Sequence, residues 1–74
     1  MSDKNKQEIS TLEKQLKKSI ETKATYEAQE QQAHEMKDIL GEGTYRTMLK
    51  GLEIGVATET KKIDSLKKKI RELS

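Results

Sequence analysis

A seven-residue repeat of apolar side chains runs through the carboxyl-terminal half of the chain. Its positions follow one another in steps of four and three residues, and all but one are apolar or aromatic. They are Tyr45, Leu49, Leu52, Val56, Glu59, Ile63, Leu66, Ile70 and Leu73. A mean spacing of about 3.5 residues places a continuous apolar stripe along one side of an α-helix. The pattern predicts one long helix over residues 44–73 that packs along its whole length against another helix.

The amino-terminal half carries a weaker version of the same repeat. One line of positions consists of Leu12, Ser19, Tyr26, Ala33 and Leu40. The companion line turns polar in its second half and consists of Ile9, Leu16, Lys23, Glu30 and Lys37. These positions predict a second helix near residues 4–40, with smaller and more polar side chains on the side that faces its partner.

Gly41-Glu42-Gly43 separates the two segments. Glycine adopts the left-handed conformation without steric cost, so it favours a helix end after Ile39 and Leu40. Thr44 is then the expected N-cap of the following helix. A link this short makes the two helices antiparallel neighbours. The sequence predicts an all-α, coiled-coil-like, antiparallel two-helix hairpin that forms one domain over residues 1–74, with helices about 4–40 and 44–73 and a turn at 41–43.

Folding the chain at Glu42 predicts which stripe positions meet. The expected pairs are Leu40 with Tyr45, Ala33 with Leu52, Tyr26 with Glu59, Ser19 with Leu66, and Leu12 with Leu73. The one charged position of the second stripe thus faces a tyrosine. A hydrogen bond from the Tyr26 hydroxyl to Glu59 would reduce the cost of burying the carboxylate, about 1–3 kcal/mol for an unpaired group.

Composition limits the size of the core. Hydrophobic residues make up 31% of the 74-residue chain and charged residues 38%. Even a well-packed domain of this length is marginally stable. Five large apolar residues also fall outside both stripes and are expected to be exposed: Ile20, Met36, Ile39, Met48 and Ile54. Because exposed apolar patches usually mark partner surfaces, we expect the chain to bind another protein or a second copy of itself.

Gly51 and Gly55 lie one helical turn apart beside Met48. Inside a helix each costs about 1 kcal/mol relative to alanine. They either ease the packing of the two helices on each other or allow a further helix to approach. The second interpretation gives a predicted partner interface of Ile20, Met36, Ile39, Met48, Gly51, Ile54 and Gly55.

Candidate residues for catalysis or metal binding are few. Glu30, His34 and Asp38 share one side of the first helix, but the di-iron pattern needs a glutamate where Gln31 stands. The chain has no cysteine, which excludes disulfides and thiolate metal sites. Nucleophilic catalysis requires a pocket, and a two-helix hairpin offers none to Ser10, Ser19 and Ser65. We expect a protein that is not an enzyme and that uses no cofactor and no metal.

A basic run near the carboxyl terminus is the strongest charged feature. It comprises Lys61, Lys62, Lys67, Lys68, Lys69 and Arg71, and the predicted hairpin brings it beside Lys14, Lys17 and Lys18. Such a patch could bind nucleic acid or an acidic partner. The alternative is an ordinary solvated coiled-coil surface, which is favoured because the patch has no aromatic residue on which bases could stack.

The arrangement of two long helices, a glycine-containing turn, Tyr45 just after it and Leu52-Glu53 further on resembles a known family. These are the small helical-hairpin co-chaperones of the type III secretion needle subunit, the YscE-like family. The chain differs from that family in the shorter spacing between Tyr45 and Leu52-Glu53 and in its lysine-rich carboxyl terminus. The resemblance implies a chaperone function: the chain would join a larger helical-repeat chaperone and keep the needle subunit unpolymerised.

Two other functions remain open at this stage. One is a self-associating module in which two hairpins form a four-helix bundle. The other is a basic accessory protein that binds nucleic acid. For all three we expect a cytoplasmic protein, because Met1 to Gln7 lacks the apolar core of a signal peptide and no apolar stretch approaches the length of a membrane span.

Overall fold

The computed structural model describes residues 3–74, so the first two residues of the predicted domain lie outside the described part. Within it the chain forms three helices: α1 (Asp3–Glu35), the short α2 (Lys37–Leu40) and α3 (Glu42–Leu73). No strand occurs in this range. The prediction of an all-α chain with two long helices is therefore confirmed over the described residues.

The long helices lie side by side. A helix of 33 residues, the length of α1, measures about 50 Å at about 1.5 Å per residue, and the molecule extends 56 × 14 × 11 Å. His34 near the end of α1 contacts Tyr45 near the start of α3, and Tyr26 further back in α1 contacts Gly55. This arrangement is consistent with a hairpin.

The predicted stripes form the interface between the helices. All nine α3 stripe positions are at least half-buried. The stripe positions of α1 and α2 are also at least half-buried, apart from Lys37. The most deeply covered residues are Ala33, at 2% exposure, and Ile63 and Glu59, at 8% each. The core is a single narrow stripe along each helix, as expected for coiled-coil packing.

The connection between the long helices differs from the prediction in two places. The first helix is interrupted at Met36, whose carbonyl accepts hydrogen bonds from both Ile39 N and Leu40 N at 3.0 and 2.9 Å. The turn shrinks to Gly41, with φ 83° and ψ 156°, a conformation open essentially to glycine alone. Gly41 directly follows the last helical residue, Leu40, as predicted. The predicted turn over 41–43 is wrong, because Glu42 and Gly43 are helical.

The predicted N-cap is also wrong. Helix α3 begins at Glu42 with Gly41 as its N-cap, and no side chain caps it. Thr44 instead lies inside the first turn. Because Gly41 completes the reversal alone, Glu42 and Gly43 are free to be helical, and the Glu42 carboxylate pairs with Arg46 at 2.6 Å.

The predicted hydrogen bond between Tyr26 and Glu59 is absent. The Tyr26 ring lies against Gly55, one turn before Glu59, and its Cε2 atom lies 3.0 Å from the position that a Cβ on Gly55 would occupy. The buried Oε2 atom of Glu59 has no hydrogen-bond partner among the described residues, and its Oε1 atom lies 3.6 Å from Lys62 Nζ.

Candidate interaction surface

The five large apolar residues outside the stripes are all exposed, as predicted. Their exposed fractions are 47% for Ile20, 43% for Met36, 80% for Ile39, 43% for Met48 and 61% for Ile54. That another protein covers them stays a prediction. Their positions relative to one another decide which of them could share one binding surface.

An uncharged groove lies where the helices approach the connection, and we call it the turn groove. Met36 and Leu40 border it on one side and Met48 and Leu52 on the other. Its full lining is Gln29, Gln32, Ala33, Met36, Leu40, Thr47, Met48, Gly51 and Leu52. None of these nine residues is charged, in a chain whose residues are 38% charged. The turn groove is therefore an uncharged surface on a chain that is otherwise rich in charge.

A second groove lies further from the connection, and we call it the lysine groove. It is lined by Gln15, Lys18, Ser19, Thr22, Glu59, Lys61, Lys62, Ser65 and Leu66. The two grooves have nearly equal volumes, about 550 Å³ for the turn groove and about 560 Å³ for the lysine groove. The two grooves therefore differ in the chemistry of their lining and not in volume.

Both grooves lie on the same face of the molecule. Four α1-side lining residues follow one another at seven-residue steps: Gln15, Thr22, Gln29 and Met36. On α3, Met48 and Lys62 stand seven residues either side of Gly55. Residues seven apart return to the same side of a helix within about 20°. The turn groove, Gly55 and the lysine groove thus form one continuous face, which we call the groove face.

The two helix glycines have different surroundings. A Cβ on Gly55 would lie 3.0–3.2 Å from three atoms of the Tyr26 ring, so the missing side chain lets α1 and α3 approach closely. A Cβ on Gly51 would meet no atom within 4 Å. Gly55 thus serves the packing within the chain, whereas Gly51 leaves open space in the turn groove.

The predicted partner interface divides between different faces. Met36, Met48 and Gly51 come together in the turn groove. Ile20 lies two residues before Thr22, about 160° around the helix from the groove face. Ile20 and Ile39 line neither groove. Ile54 stands seven residues from both Thr47 and Lys61, so it lies on the groove face between the two grooves. One partner helix in the groove therefore reaches only part of the predicted set.

Sequence reasoning missed most polar members of the groove face. Lys18 was noted only as part of a basic end, and Gln15 and Thr22 were not singled out. The seven-residue steps that link Gln15 to Met36 were visible in the sequence and mark the flank of the α1 stripe. Following the flanks as well as the stripes would have found this face.

The single histidine takes part in a local contact. His34 Nδ1 and Tyr45 Oη share a hydrogen bond of 2.6 Å, and Lys37 Nζ lies 5.2 Å from the centre of the Tyr45 ring. In residues 3–74 no three histidine, aspartate or glutamate side chains are grouped so that they could hold a metal ion. The observed contacts of His34 join α1 to the start of α3.

No protein-family model, curated protein or solved structure matches this chain. Among residues 3–74, no helix combines the length and the apolar character needed to cross a membrane.

Proposed function

We propose that this protein is a non-enzymatic interaction module, an antiparallel helical hairpin that packs its groove face on a helix of another protein. The antiparallel order is supported by the contacts between the long helices. As the α1 position moves back from His34 to Tyr26, the α3 position moves forward from Tyr45 to Gly55.

The uncharged turn groove is the observation that carries the proposal. Met36 and Met48 flank it with 43% of each side chain exposed, and Gly51 leaves its floor open to a close approach. Burying an exposed methionine side chain contributes up to about 1.5–3 kcal/mol. Methionine also adapts its shape to the partner surface. A partner helix in the groove would add packing to a core that consists of only one narrow stripe along each helix.

The resemblance to the co-chaperones of the type III secretion needle subunit gives the proposal its most specific form. In that form the chain works in the cytoplasm beside a larger helical-repeat chaperone, and together they keep the needle subunit from polymerising. The contribution of this chain is packing alone, with no chemical step.

Self-association is the second candidate function, favoured by the thin core. Ala33 and Ile63, at 2% and 8% exposure, are the only buried apolar residues of the described chain. A dimer of hairpins would cover the exposed isoleucines outside the groove face as well as the methionines within it. It differs from the first proposal in needing no other protein.

Site-specific photocrosslinking in the cells that encode this protein tests the first proposal. A benzophenone amino acid at position 48 lies in the turn groove. The same group at position 53 is the matched control, because Glu53 is exposed on α3, lines neither groove and lies about 140° around the helix from Met48. We expect a discrete crosslinked protein from position 48 and none from position 53.

The identity of the crosslinked protein then separates the possibilities. A secretion chaperone or needle subunit supports the specific form, and a different protein overturns that form while supporting the interaction module. A product that contains only this chain, together with a dimer that resists dilution in sedimentation, favours self-association. Equal crosslinking from both positions, or none from either, overturns the proposal.

A further inference from the structure

The groove face is long enough to hold one extended helical segment. From Gln15 to Met36 it follows α1 for about 30 Å, at about 1.5 Å per residue. A helix of about 20 residues has that length. Gly55 stands midway along the face, seven residues from both Met48 and Lys62, and the Tyr26 ring packs against it.

The chemistry of the face changes along its length. The turn groove contains no charged residue, whereas Lys18, Lys61 and Lys62 line the lysine groove. Within residues 3–74, Lys18 and Lys61 form no ion pair. Lys62 lies 3.6 Å from Glu59 and keeps 59% of its side chain exposed. The lysine groove thus presents three positive charges against one partly paired carboxylate.

We propose that the groove face binds one amphipathic helix of about 20 residues from another protein, apolar over the turn groove and acidic over the lysine groove. This inference rests on the proposed function and names the chemistry of its partner. Apolar side chains of the bound helix cover Met36 and Met48. Its carboxylates pair with the three groove lysines, which fixes the direction of the acidic end and speeds encounter.

A second copy of the chain does not supply this complement. Two copies packed by this face about a two-fold axis along the hairpin would place lysine groove on lysine groove. An axis perpendicular to the hairpin would place each lysine groove on an uncharged turn groove. The first arrangement brings to Lys18, Lys61 and Lys62 only the other copy's buried Glu59, which already lies beside its own Lys62, and the second brings no carboxylate from the groove lining.

Nucleic acid matches only half of the face. Its phosphates would suit the lysines, but the turn groove has neither charge nor an aromatic residue for base stacking. An acidic amphipathic helix uses both halves, so it is the occupant that the observations favour.

The test uses the full chain and synthetic helical peptides labelled for fluorescence anisotropy. The first peptide has about 20 residues, with leucines and alanines on one side of one half and three glutamates on the same side of the other half. In the second peptide lysines replace the glutamates. At low ionic strength we expect the acidic peptide to bind at least about tenfold more tightly, because three exposed ion pairs each contribute up to a few-fold.

Charge-matched variants locate the effect. Changing Lys18, Lys61 and Lys62 together to glutamine is expected to weaken binding of the acidic peptide about tenfold. The control changes Lys6, Lys17 and Lys67 to glutamine, which removes the same charge from positions that neither line a groove nor stand seven residues from a residue that does. It should leave affinity within about twofold. Met48→Glu should also weaken binding, whereas Ile20→Glu, at an exposed apolar site about 160° around α1 from the groove face, should not.

Four outcomes would overturn the inference. Equal weakening in the two lysine triples would mean general attraction, and equal binding of both peptides would remove the acidic requirement. Duplex DNA that binds more tightly than the acidic peptide, with loss in the groove triple, would make nucleic acid the occupant. Absence of binding by the acidic peptide would contradict the proposed acidic partner. If position 48 still crosslinks to a protein in that case, the proposed function stands and only the inference about the acidic helix is wrong.

Discussion

Helix α3 brings large apolar side chains to the helix interface, whereas α1 brings small and polar ones. The best-buried apolar residue of α3 is Ile63, and that of α1 is Ala33. Gly55 is the exception on α3, and the residue of α1 that packs against it is Tyr26, the largest side chain of α1. The two helices thus fit by complementary size where Tyr26 meets Gly55. Because Ala33 is small and Ile63 is large, we expect the same kind of substitution to act differently on the two helices.

The largest expected effect comes from truncating α3 inside the interface. Ile63→Ala removes buried methyl and methylene groups and is expected to lower the free energy of unfolding by about 2–4 kcal/mol. Ile54→Ala makes the same change at a site that is 61% exposed and should cost less than about 0.5 kcal/mol. Urea unfolding followed by circular dichroism measures both. Equal costs would break the assignment of α3 as the apolar side of the interface.

On α1 the damaging change is enlargement. Ala33→Leu adds three carbon atoms at a site that is only 2% exposed, and overpacking of this kind costs about 1–3 kcal/mol. Ala28→Leu makes the same change at an exposed position of α1 and should be nearly neutral. Thermal unfolding of the two variants compares them. A more stable Ala33→Leu variant would show that the interface has room at this level.

Glu59 interrupts the apolar side of the interface, so replacing it should sharpen the contrast between the helices. Glu59→Leu removes the buried oxygen that lacks a hydrogen-bond partner and extends the apolar stripe. We expect the free energy of unfolding to rise by about 1 kcal/mol. Glu53→Leu, at an exposed position of α3, is the control for added hydrophobicity. A loss of stability in Glu59→Leu would mean that the carboxylate supports the fold.

The two glycines test whether close approach is confined to one level. Gly51→Ala meets open space and should raise stability by about 0.5–1 kcal/mol, since alanine favours helix more than glycine does. Gly55→Ala places its Cβ 3.0 Å from the Tyr26 ring and should gain less or lose stability. Chemical denaturation of both variants gives the difference. Equal gains would show that the ring moves aside without cost.

The smallest effects concern the two tyrosine hydroxyls. Tyr45→Phe removes the hydrogen bond with His34 and should cost about 0.5–1 kcal/mol. Tyr26→Phe should change stability by less than about 0.5 kcal/mol, because its hydroxyl forms no hydrogen bond within residues 3–74. The same unfolding experiments apply. A clear loss in Tyr26→Phe would restore the predicted bond to Glu59.

The apolar repeat predicted the stripe positions of both long helices and the exposure of Ile20, Met36, Ile39, Met48 and Ile54. It did not predict the interruption at Met36, because the periodicity of residues 30–40 favours an unbroken helix. Thr44 was the predicted N-cap because it follows the two glycines and threonine is a preferred N-cap residue. A single glycine with positive φ made that cap unnecessary.

For the interaction surface, the sequence identified Met36, Met48 and Gly51 but grouped them with Ile20, which lies on another side of α1. Angular position around one helix is a property of residue spacing, so it could be read for each helix separately. The joining of Met36 to Met48 depends on two helices at once and could not be deduced from either repeat. The predicted hairpin did bring Lys18 beside the run that contains Lys61 and Lys62, and the lysine groove confirms that they come together.

The sequence by itself determined which side of each helix faces the other, because the positions of side chains around a helix follow from spacing alone. Only the tertiary structure decided how far the two helices are shifted along each other, since that shift depends on a one-residue turn at Gly41 and on the seat of the Tyr26 ring over Gly55. Because of this shift, Tyr26 lies opposite Gly55 and not opposite Glu59. It also aligns the flanks of the two stripes into one continuous face, uncharged at one end and basic at the other.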